Sequence, residues 1–250
     1  MGDFWKIVNK VIGEADVLLM LLDARHVFET RNIEIEDKIF DADKPLIYVI
    51  TKSDLIPNKE EVERYKKEFK PCVFVSALNH YGTTILRDKI LIEAKRWNIK
   101  YEPLHVGVLG YPNVGKSSLI NAMSGRGAAP TSSMSGYTKS LQKIRGDKKI
   151  LFLDTPGVIP YSEKDDVKQS MIGSVDYTKV KDPDVAVMNL MEKFPGIIED
   201  YYDVEVEDEF DVVLEKIAIK KNIIKRRREP DVEKMSRMIL RDWQKGSIEK

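Results

Sequence analysis

The stretch Gly110-Tyr-Pro-Asn-Val-Gly115-Lys116-Ser117 decides the fold of this chain. Two glycines that enclose four residues and precede Lys and Ser match a phosphate-binding loop, whose backbone N–H groups surround phosphate oxygens. The loop follows the apolar residues 104–109 and precedes residues 118–123, so it lies between a predicted strand and a predicted helix. We expect Lys116 to reach the β and γ phosphates of a nucleotide and the Ser117 hydroxyl to ligate Mg²⁺. The alternative, a chance glycine turn, is disfavoured by this context.

Composition excludes several classes of protein. The 41 basic and 41 acidic side chains cancel, so any binding of nucleic acid must come from a local patch. Cys72 is the only cysteine, which excludes an intrachain disulfide and a cysteine-based zinc cluster. No apolar run approaches the ~20 residues of a membrane span, and the first residues lack a secretory pattern. We therefore expect a cytoplasmic protein that does not contact membranes.

Strand and helix patterns alternate through about residue 160, which predicts a three-layer α/β domain with a mostly parallel sheet. Buried strands are predicted for residues 15–22, 45–50, 72–75 and 104–109, and a hairpin for residues 139–145 and 149–153. The helix predicted over residues 81–97 has Ile85, Ile90, Ala94 and Trp97 available for its inner side. Further helices are predicted for residues 182–194, 208–220 and 231–245. We thus expect an α/β domain at residues 1–160 and a small helical domain at residues 161–250.

Polar residues at the ends of two predicted strands match a guanine site. Open α/β sheets carry their ligand residues at these ends, and here Thr51-Lys52-Ser53-Asp54 and Ser76-Ala77 follow the second and third strands. The Asp54 carboxylate can accept from the N1–H and exocyclic amine of guanine, a donor pair that adenine lacks. Such a site can reject the wrong base by ~10⁴ or more. Lys52 can lay its alkyl stem along the base, and the Ala77 N–H, positioned by Ser76, can donate to the guanine carbonyl oxygen.

The last strand of the domain ends in Asp154-Thr155-Pro156-Gly157. Asp154 is expected to hold the Mg²⁺ shell, and the Gly157 N–H to contact the γ phosphate. Together with the phosphate loop, these motifs predict a site for GTP or GDP. The predicted nucleotide contacts are Thr51, Lys52, Asp54, Ser76, Ala77, Asn113, Val114, Gly115, Lys116, Ser117, Ser118 and Gly157.

The motifs occur in a rotated order, because the base-reading segments precede the phosphate loop. In this order the chain resembles the circularly permuted GTPases of the YlqF/YawG family, in a short, archaeal-like form. Asp23-Ala24-Arg25 with Thr30-Arg31-Asn32 is similar to that family's signature, and the resemblance extends to residues 179–183 and 240–246. The resemblance implies a P-loop GTPase that assists assembly of the large ribosomal subunit and contacts rRNA.

The resemblance also implies roles for two loop residues. Thr138 is expected to be the switch threonine that closes on Mg²⁺ and the γ phosphate; the alternative is a threonine in a flexible surface loop. Asn113 either helps to hold K⁺ beside the phosphates or only shapes the turn. Lys116, Thr138 and Gly157 are thus the candidate catalytic residues, and Ser117, Thr138 and Asp154 the candidate metal ligands.

The chain departs from related GTPases at three places. Val158 and Ile159 follow Gly157, where Ras-like enzymes carry a water-orienting glutamine, so we expect slow intrinsic hydrolysis that a partner accelerates, by 10³ to 10⁵ where an arginine is supplied in trans. Thr51 stands where asparagine is usual, but its hydroxyl can still brace the phosphate loop. We assign no catalytic histidine, including His26 beside the Asp-Ala-Arg signature.

A basic cluster, Lys220-Lys221 with Lys225-Arg226-Arg227-Arg228, follows the acidic residues 199–211. Without the resemblance we favour a solvated face; the resemblance shifts the preference toward rRNA, read by shape and backbone. Three interpretations stay open: a GTP-hydrolysing assembly factor of the large subunit, a nucleotide-gated RNA-binding scaffold with little turnover, and a factor of the small subunit. An ATPase is disfavoured by Asp54, and we expect a monomer.

Overall fold

The computed structural model describes residues 3–124, 141–155, 157, 166–226 and 228–248. The chain divides into two compact units, Met1–Glu163 and Lys164–Lys250. Within the described ranges, no helix is both long and apolar enough to cross a membrane.

The first unit contains a six-stranded sheet in the order β3-β2-β1-β4-β6-β5. The strands are β1 (Val17–Asp23), β2 (Leu46–Thr51), β3 (Cys72–Val75), β4 (Leu104–Gly110), β5 (Gln142–Arg145) and β6 (Ile150–Asp154). All neighbouring pairs are parallel except β5 and β6, which form the predicted hairpin. Although β4 is fourth in sequence, it lies in the middle of the sheet, and the connection from β3 to β4 passes over β2 and β1. The predicted α/β fold with rotated motif order is therefore confirmed.

Helices follow most strands and are the main elements of the described part of the second unit. Those of the first unit are α1 (Asp3–Glu14), α2 (Ile33–Asp41), α3 (Lys59–Glu68), α4 (Thr83–Arg96) and α5 (Lys116–Ser124). Those of the second unit are α6 (Asp166–Met171), α7 (Pro183–Lys193), α8 (Ile197–Tyr202), α9 (Phe210–Lys220) and α10 (Val232–Lys245). The sequence did not predict α6 and α8, because six residues are too few to show a helical period.

The core of the first unit forms around β1, which is buried at every position. Leu18, Met20 and Leu22 belong to one hydrophobic cluster with residues of α1 and α2. Helices α4 and α5 pack on each other and on β1 and β4, and their buried residues lie outside this cluster. Helices therefore cover both faces of the sheet, which explains why β1 is apolar along its whole length.

The inward face of α4 differs from the sequence prediction. Ile90 and Ala94 are buried as expected, but Ile85 and Trp97 are 56% and 44% exposed. The buried face instead contains Leu86 and Glu93, which lie one turn before and one turn after Ile90. Glu93 tolerates burial because its carboxylate is 2.9 Å from the ammonium of Lys89 and 2.9 Å from the guanidinium of Arg96. A hydrophobicity pattern misses such a position because it counts glutamate as exposed.

Helix α10 is the centre of the second unit and packs on α6, α7 and α9. Its Trp243 is buried and donates its indole N–H to the Met171 carbonyl at 2.9 Å. On the same helix, the Arg237 guanidinium donates to three carbonyls, those of Tyr177, Thr178 and Val180, at 3.1 to 3.2 Å. These bonds fix the segment that leads into α7. One of the acceptors, Val180, lies within residues 179–183, to which the family resemblance extends.

The packing of α1 on β4 predicts a difference between two glycines. A Cβ at Gly107 would lie 2.7 Å from Leu18 Cδ2 and 2.8 Å from Val11 Cγ1, whereas a Cβ at Gly13 in α1 would have no heavy atom within 4 Å. We expect Gly107→Ala to lower the free energy of unfolding by about 1–3 kcal/mol through overpacking. Gly13→Ala should leave it unchanged or raise it by up to about 1 kcal/mol. Urea unfolding of both variants measures this, and wild-type stability for Gly107→Ala would contradict the packing.

Candidate nucleotide site

The predicted site residues converge at one edge of the sheet. Asp23 ends β1, Thr51 ends β2, Ser76 follows β3, Gly110 ends β4 and Asp154 ends β6. Because these strands are parallel neighbours, their carboxyl ends meet at the same edge, where open α/β sheets bind ligands. Residues that are up to 131 positions apart in sequence are thereby assembled into one site.

The phosphate loop has the backbone geometry that its glycines permit. Gly110 and Gly115 have φ values of 147° and 98°, and Asn113 has a φ of 60°. Glycine adopts such angles without the Cβ clash that other residues meet. Helix α5 begins at Lys116, so its unpaired N–H groups and the positive end of its dipole lie at the loop. The loop is therefore shaped to bind an anion.

Lys116 and Asp154 are a buried pair of opposite charge at this loop. The Lys116 ammonium donates to the carbonyls of Gly110 at 3.0 Å and Tyr111 at 2.5 Å. Burial lowers the pKa of Lys116 to about 8, and Asp154 opposes the shift only in part. Burial likewise raises the pKa of Asp154, against the opposing effects of Lys116 and Ser117. Both side chains would gain from further partners of opposite charge, which a phosphate and a cation supply.

Ser117 and Asp154 fit a Mg²⁺ site. The Ser117 hydroxyl donates to Asp154 Oδ2 at 3.1 Å. The other carboxylate oxygen, Oδ1, is buried and has no hydrogen-bond partner among the described residues. Buried carboxylate oxygens normally have a partner, and hydroxyl and carboxylate oxygens are the hard ligands that Mg²⁺ prefers. The residues present therefore suit the predicted metal.

Thr51 connects the base-reading segment to the phosphate loop. Its hydroxyl lies 2.6 Å from the Val114 carbonyl oxygen and 3.0 Å from the Leu22 carbonyl oxygen. The side chain is buried, so these bonds are protected from water. The threonine thus braces the loop, although the corresponding GTPase motif usually begins with asparagine.

Lys52 makes a contact that the sequence analysis did not predict. Its ammonium is 2.6 Å from Asp23 Oδ2 and 3.1 Å from the Asn113 carbonyl oxygen. Burial lowers the pKa of Lys52, and the Asp23 carboxylate opposes this. Asp23 was not among the predicted site residues. Its only sequence signal was its place in the Asp-Ala-Arg signature directly after β1.

Asp54 and Ser76 meet at the base-reading side of the site. Asp54 is exposed on a 3-10 helix, Ser53–Leu55, and lines a cavity of 550 Å³ together with the buried Ser76. Ser76 exchanges two backbone hydrogen bonds with Tyr81, at 3.0 and 3.1 Å, and these hold the loop that carries the half-buried Ala77. The carboxylate and the loop that were predicted to read guanine are therefore adjacent.

Gly157 approaches the phosphate loop closely. A Cβ at this position would lie 2.4 Å from both the backbone nitrogen and the Cα of Pro112, so only glycine fits without displacing the loop. Ser118, in the first turn of α5, is exposed. Thr138, Val158 and Ile159 lie outside the described residues.

The basic cluster of the second unit has two parts. On α9, Lys220 of this cluster is 2.5 Å from the Asp203 carboxylate, and Lys216, one turn before the cluster, pairs with Glu207. The second part is the loop after α9, whose cationic side chains are exposed. No acidic side chain among the described residues forms an ion pair with them. This basic loop consists of Lys225, Arg226 and Arg228, and an antiparallel bridge between Ile224 and Pro230 closes it. Arg227 lies outside the described residues.

Comparison with known families agrees with this geometry. The model of a family described as 50S ribosome-binding GTPase matches residues 105–232, slightly more than half of the chain. An uncharacterized GTP-binding protein of Methanocaldococcus jannaschii is 40% identical over 97% of this chain and 65% of its own length. GTPase grn1 of Schizosaccharomyces pombe is 31% identical over 98% of this chain and 60% of its own length. Nucleolar GTP-binding protein 2 of Neurospora crassa is 31% identical over 98% of this chain and 40% of its own length.

Solved structures show the same fold. GNP-bound YlqF from T. maritima superimposes with a TM-score of 0.67 at 20% identity, over 98% of this chain and 94% of that one. The GDP-bound structure gives a TM-score of 0.66 at 20% identity, over 97% and 96% of the two chains. The family match, the rotated order of the motifs and this shared fold lead to one conclusion: the chain belongs to the 50S ribosome-binding GTPase family, in the circularly permuted form that YlqF represents.

Proposed function

We propose that this protein binds GTP, hydrolyses it to GDP and phosphate, and uses this cycle to assist assembly of the large ribosomal subunit. The observation that carries the nucleotide part is the buried pair of Lys116 and Asp154 at a loop shaped for an anion. The ribosomal part is supported by the family description and by the nucleolar name of one relative. The chain spans only 40 to 65% of the three relatives described above, so its activity and partners are proposals.

Each site residue has a physical role in this proposal. Lys116 neutralises charge on the β and γ phosphates, and the N–H groups of Val114, Gly115 and Ser118 contribute further donors. Ser117 and Asp154 would hold Mg²⁺, which would offset the negative charge of the phosphates. The Gly157 N–H contacts the γ phosphate, and its close packing against the loop supports this role.

Thr138 and K⁺ belong to the same proposal. Thr138 would act as the switch threonine, contacting Mg²⁺ and the γ phosphate in the GTP state but not after hydrolysis. The φ of 60° at Asn113 supports a turn-shaping role, and a comparison of K⁺ with Na⁺ tests the additional role in cation binding. A turn-shaping role alone predicts equal GTP turnover in K⁺ and Na⁺, whereas a bound K⁺ predicts faster turnover in K⁺.

Base selection by Asp54 predicts a change of specificity. Asp54→Asn replaces one carboxylate acceptor by an amide donor, which suits the C2 carbonyl of xanthine better than the amine of guanine. We expect GTP affinity to fall by about 10²-fold or more while XTP binds in preference to GTP. Titration calorimetry with both nucleotides measures this. Asp43→Asn removes the same charge at an exposed site before β2 and should change neither affinity. Unchanged GTP preference in Asp54→Asn would refute this role.

Slow intrinsic hydrolysis predicts activation by the ribosomal particle. We expect GTP turnover to rise by 10³-fold or more when isolated large subunits are added, and not with small subunits. The assay compares K⁺ with Na⁺, and Lys116→Ala provides the inactive control because it removes the phosphate-binding ammonium. Activation by small subunits alone would indicate that the protein acts on the small ribosomal subunit instead. Tight GTP binding without activation by either would support the scaffold alternative.

The exposed basic loop favours a contact with RNA, whether the protein is an assembly GTPase or a scaffold with little turnover. Because Lys216 and Lys220 are already paired with acidic residues, they are less available to phosphates than Lys225 and Arg226. Electrostatic binding of this kind is not sequence-specific and weakens with salt.

A matched pair of variants tests this division. Lys225→Ala/Arg226→Ala should weaken binding to large subunits and lower the slope of log affinity against log salt by about 2. Lys216→Ala/Lys220→Ala removes the same charge and should change the slope by less than about 0.5. Sedimentation with ribosomal subunits at several salt concentrations provides the measurement. An equal loss with both pairs would show that overall charge, not the loop, determines binding.

A further inference from the structure

Asp23 is a buried carboxylate to which the proposed function assigns no role. It is 1% exposed and ends β1, the strand that pairs on one side with β2 and on the other with β4. In the register of the sheet, Asp23 pairs with Thr51, the first residue of the base-reading segment, and Leu21 pairs with Gly110, the first of the phosphate loop. Asp23 therefore lies between the two loops that must act on one nucleotide.

The backbone of Asp23 is held by buried hydrogen bonds. Its N–H donates to the Thr30 hydroxyl at 3.0 Å, and that hydroxyl donates to the His26 carbonyl at 2.7 Å. The next residue, Ala24, donates its N–H to the Thr51 carbonyl at 3.0 Å. Thr30 is fully buried, so its contacts are not exchanged with water. These bonds give the signature residue Thr30 a structural role and hold the backbone at Asp23.

The carboxylate joins two cations. Its Oδ2 accepts from the Lys52 ammonium at 2.6 Å and from the Arg25 guanidinium at 2.8 Å, while Oδ1 accepts from Arg25 Nε at 3.0 Å. Burial alone would raise the pKa of Asp23, but Lys52 and Arg25 more than offset this and hold it well below its usual range. The carboxylate is therefore charged throughout the physiological range. A charged, buried acceptor is a strong and directional partner for an ammonium.

Lys52 needs such a partner because it has a long, flexible side chain. Its side chain is 30% exposed, and its second contact is the carbonyl of Asn113 in the phosphate loop. A lysine held by Asp23 keeps its stem along the edge of the site and its ammonium on the phosphate loop. Without Asp23, the rotamer freedom of the Lys52 side chain would have to be lost on nucleotide binding.

We propose that Asp23 is a positioning residue for nucleotide binding, which holds Lys52 against the phosphate loop before the nucleotide arrives. The inference rests on the proposed GTP site, because it assigns the Asp-Ala-Arg signature a role within that site. It differs from a purely structural role, in which Asp23 would only anchor Arg25 and residues 24–32. In the positioning role, the effect of Asp23 on affinity passes through Lys52; in the structural role it does not.

A double-mutant cycle in the full chain separates the two roles. GDP affinity is measured by calorimetry for wild type, Asp23→Asn, Lys52→Met and the double variant, with urea unfolding on each. We expect each single variant to bind GDP tenfold or more weakly, and the double variant to bind within about threefold of the weaker single variant. Losses that multiply in the double variant, or wild-type affinity in Asp23→Asn, would overturn the inference.

Two further variants complete the experiment. Asp16→Asn makes the same change at the other end of β1, where the carboxylate accepts from the His105 N–H at 2.8 Å, and should leave GDP affinity unchanged. If Asp23→Asn does not fold, the GDP affinities of Lys52→Arg and Lys52→Met still test the inference. Lys52→Arg can keep the pair with Asp23 and should retain most of the affinity, whereas wild-type affinity in Lys52→Met would overturn the inference. A wild-type chain that fails to bind GDP would instead overturn the proposed function.

Discussion

The parallel pairing of β1 with both β2 and β4 is the constraint on which the nucleotide site depends. This pairing brings the base-reading segment and the phosphate loop to the same edge of the sheet, although Thr51 and Val114 are 63 residues apart. The hydroxyl of Thr51 and the ammonium of Lys52 then bind carbonyl oxygens of the loop directly. Burial of β1 on both faces stabilises this arrangement, because its apolar side chains are removed from water along the whole strand.

Buried charge is concentrated where the chain is expected to meet its ligand. Lys116, Asp154, Asp23 and Lys52 all lie at the carboxyl edge, and burial acts against the charged form of each. Asp23 and Lys52 compensate one another within the protein, whereas Lys116 and Asp154 do so only in part. A protein that keeps incompletely compensated charges at a loop shaped for an anion gives up stability there, which is typical of a binding site.

The rotated motif order has a simple structural basis. In space, β4 lies between β1 and β6 with the phosphate loop at its end, although β2 and β3, which carry the base-reading segments, precede it in sequence. Helix α4 makes this possible, since it spans the sheet from the edge strand β3 to the central strand β4 and packs on α5. The fold is thus set by which strands are neighbours and not by where the chain begins.

The amino-acid sequence was enough to predict the α/β fold and the strand, loop and helix around Lys116, because these follow from local glycine placement and hydrophobic period. It also placed Asp54 and Asp154 at strand ends. Two features could not be predicted in this way: the buried face of α4, where Glu93 replaces an apolar residue, and the bond between Asp23 and Lys52. That bond joins residues 29 positions apart, and it exists because two strands pair in one register, which no local pattern specifies.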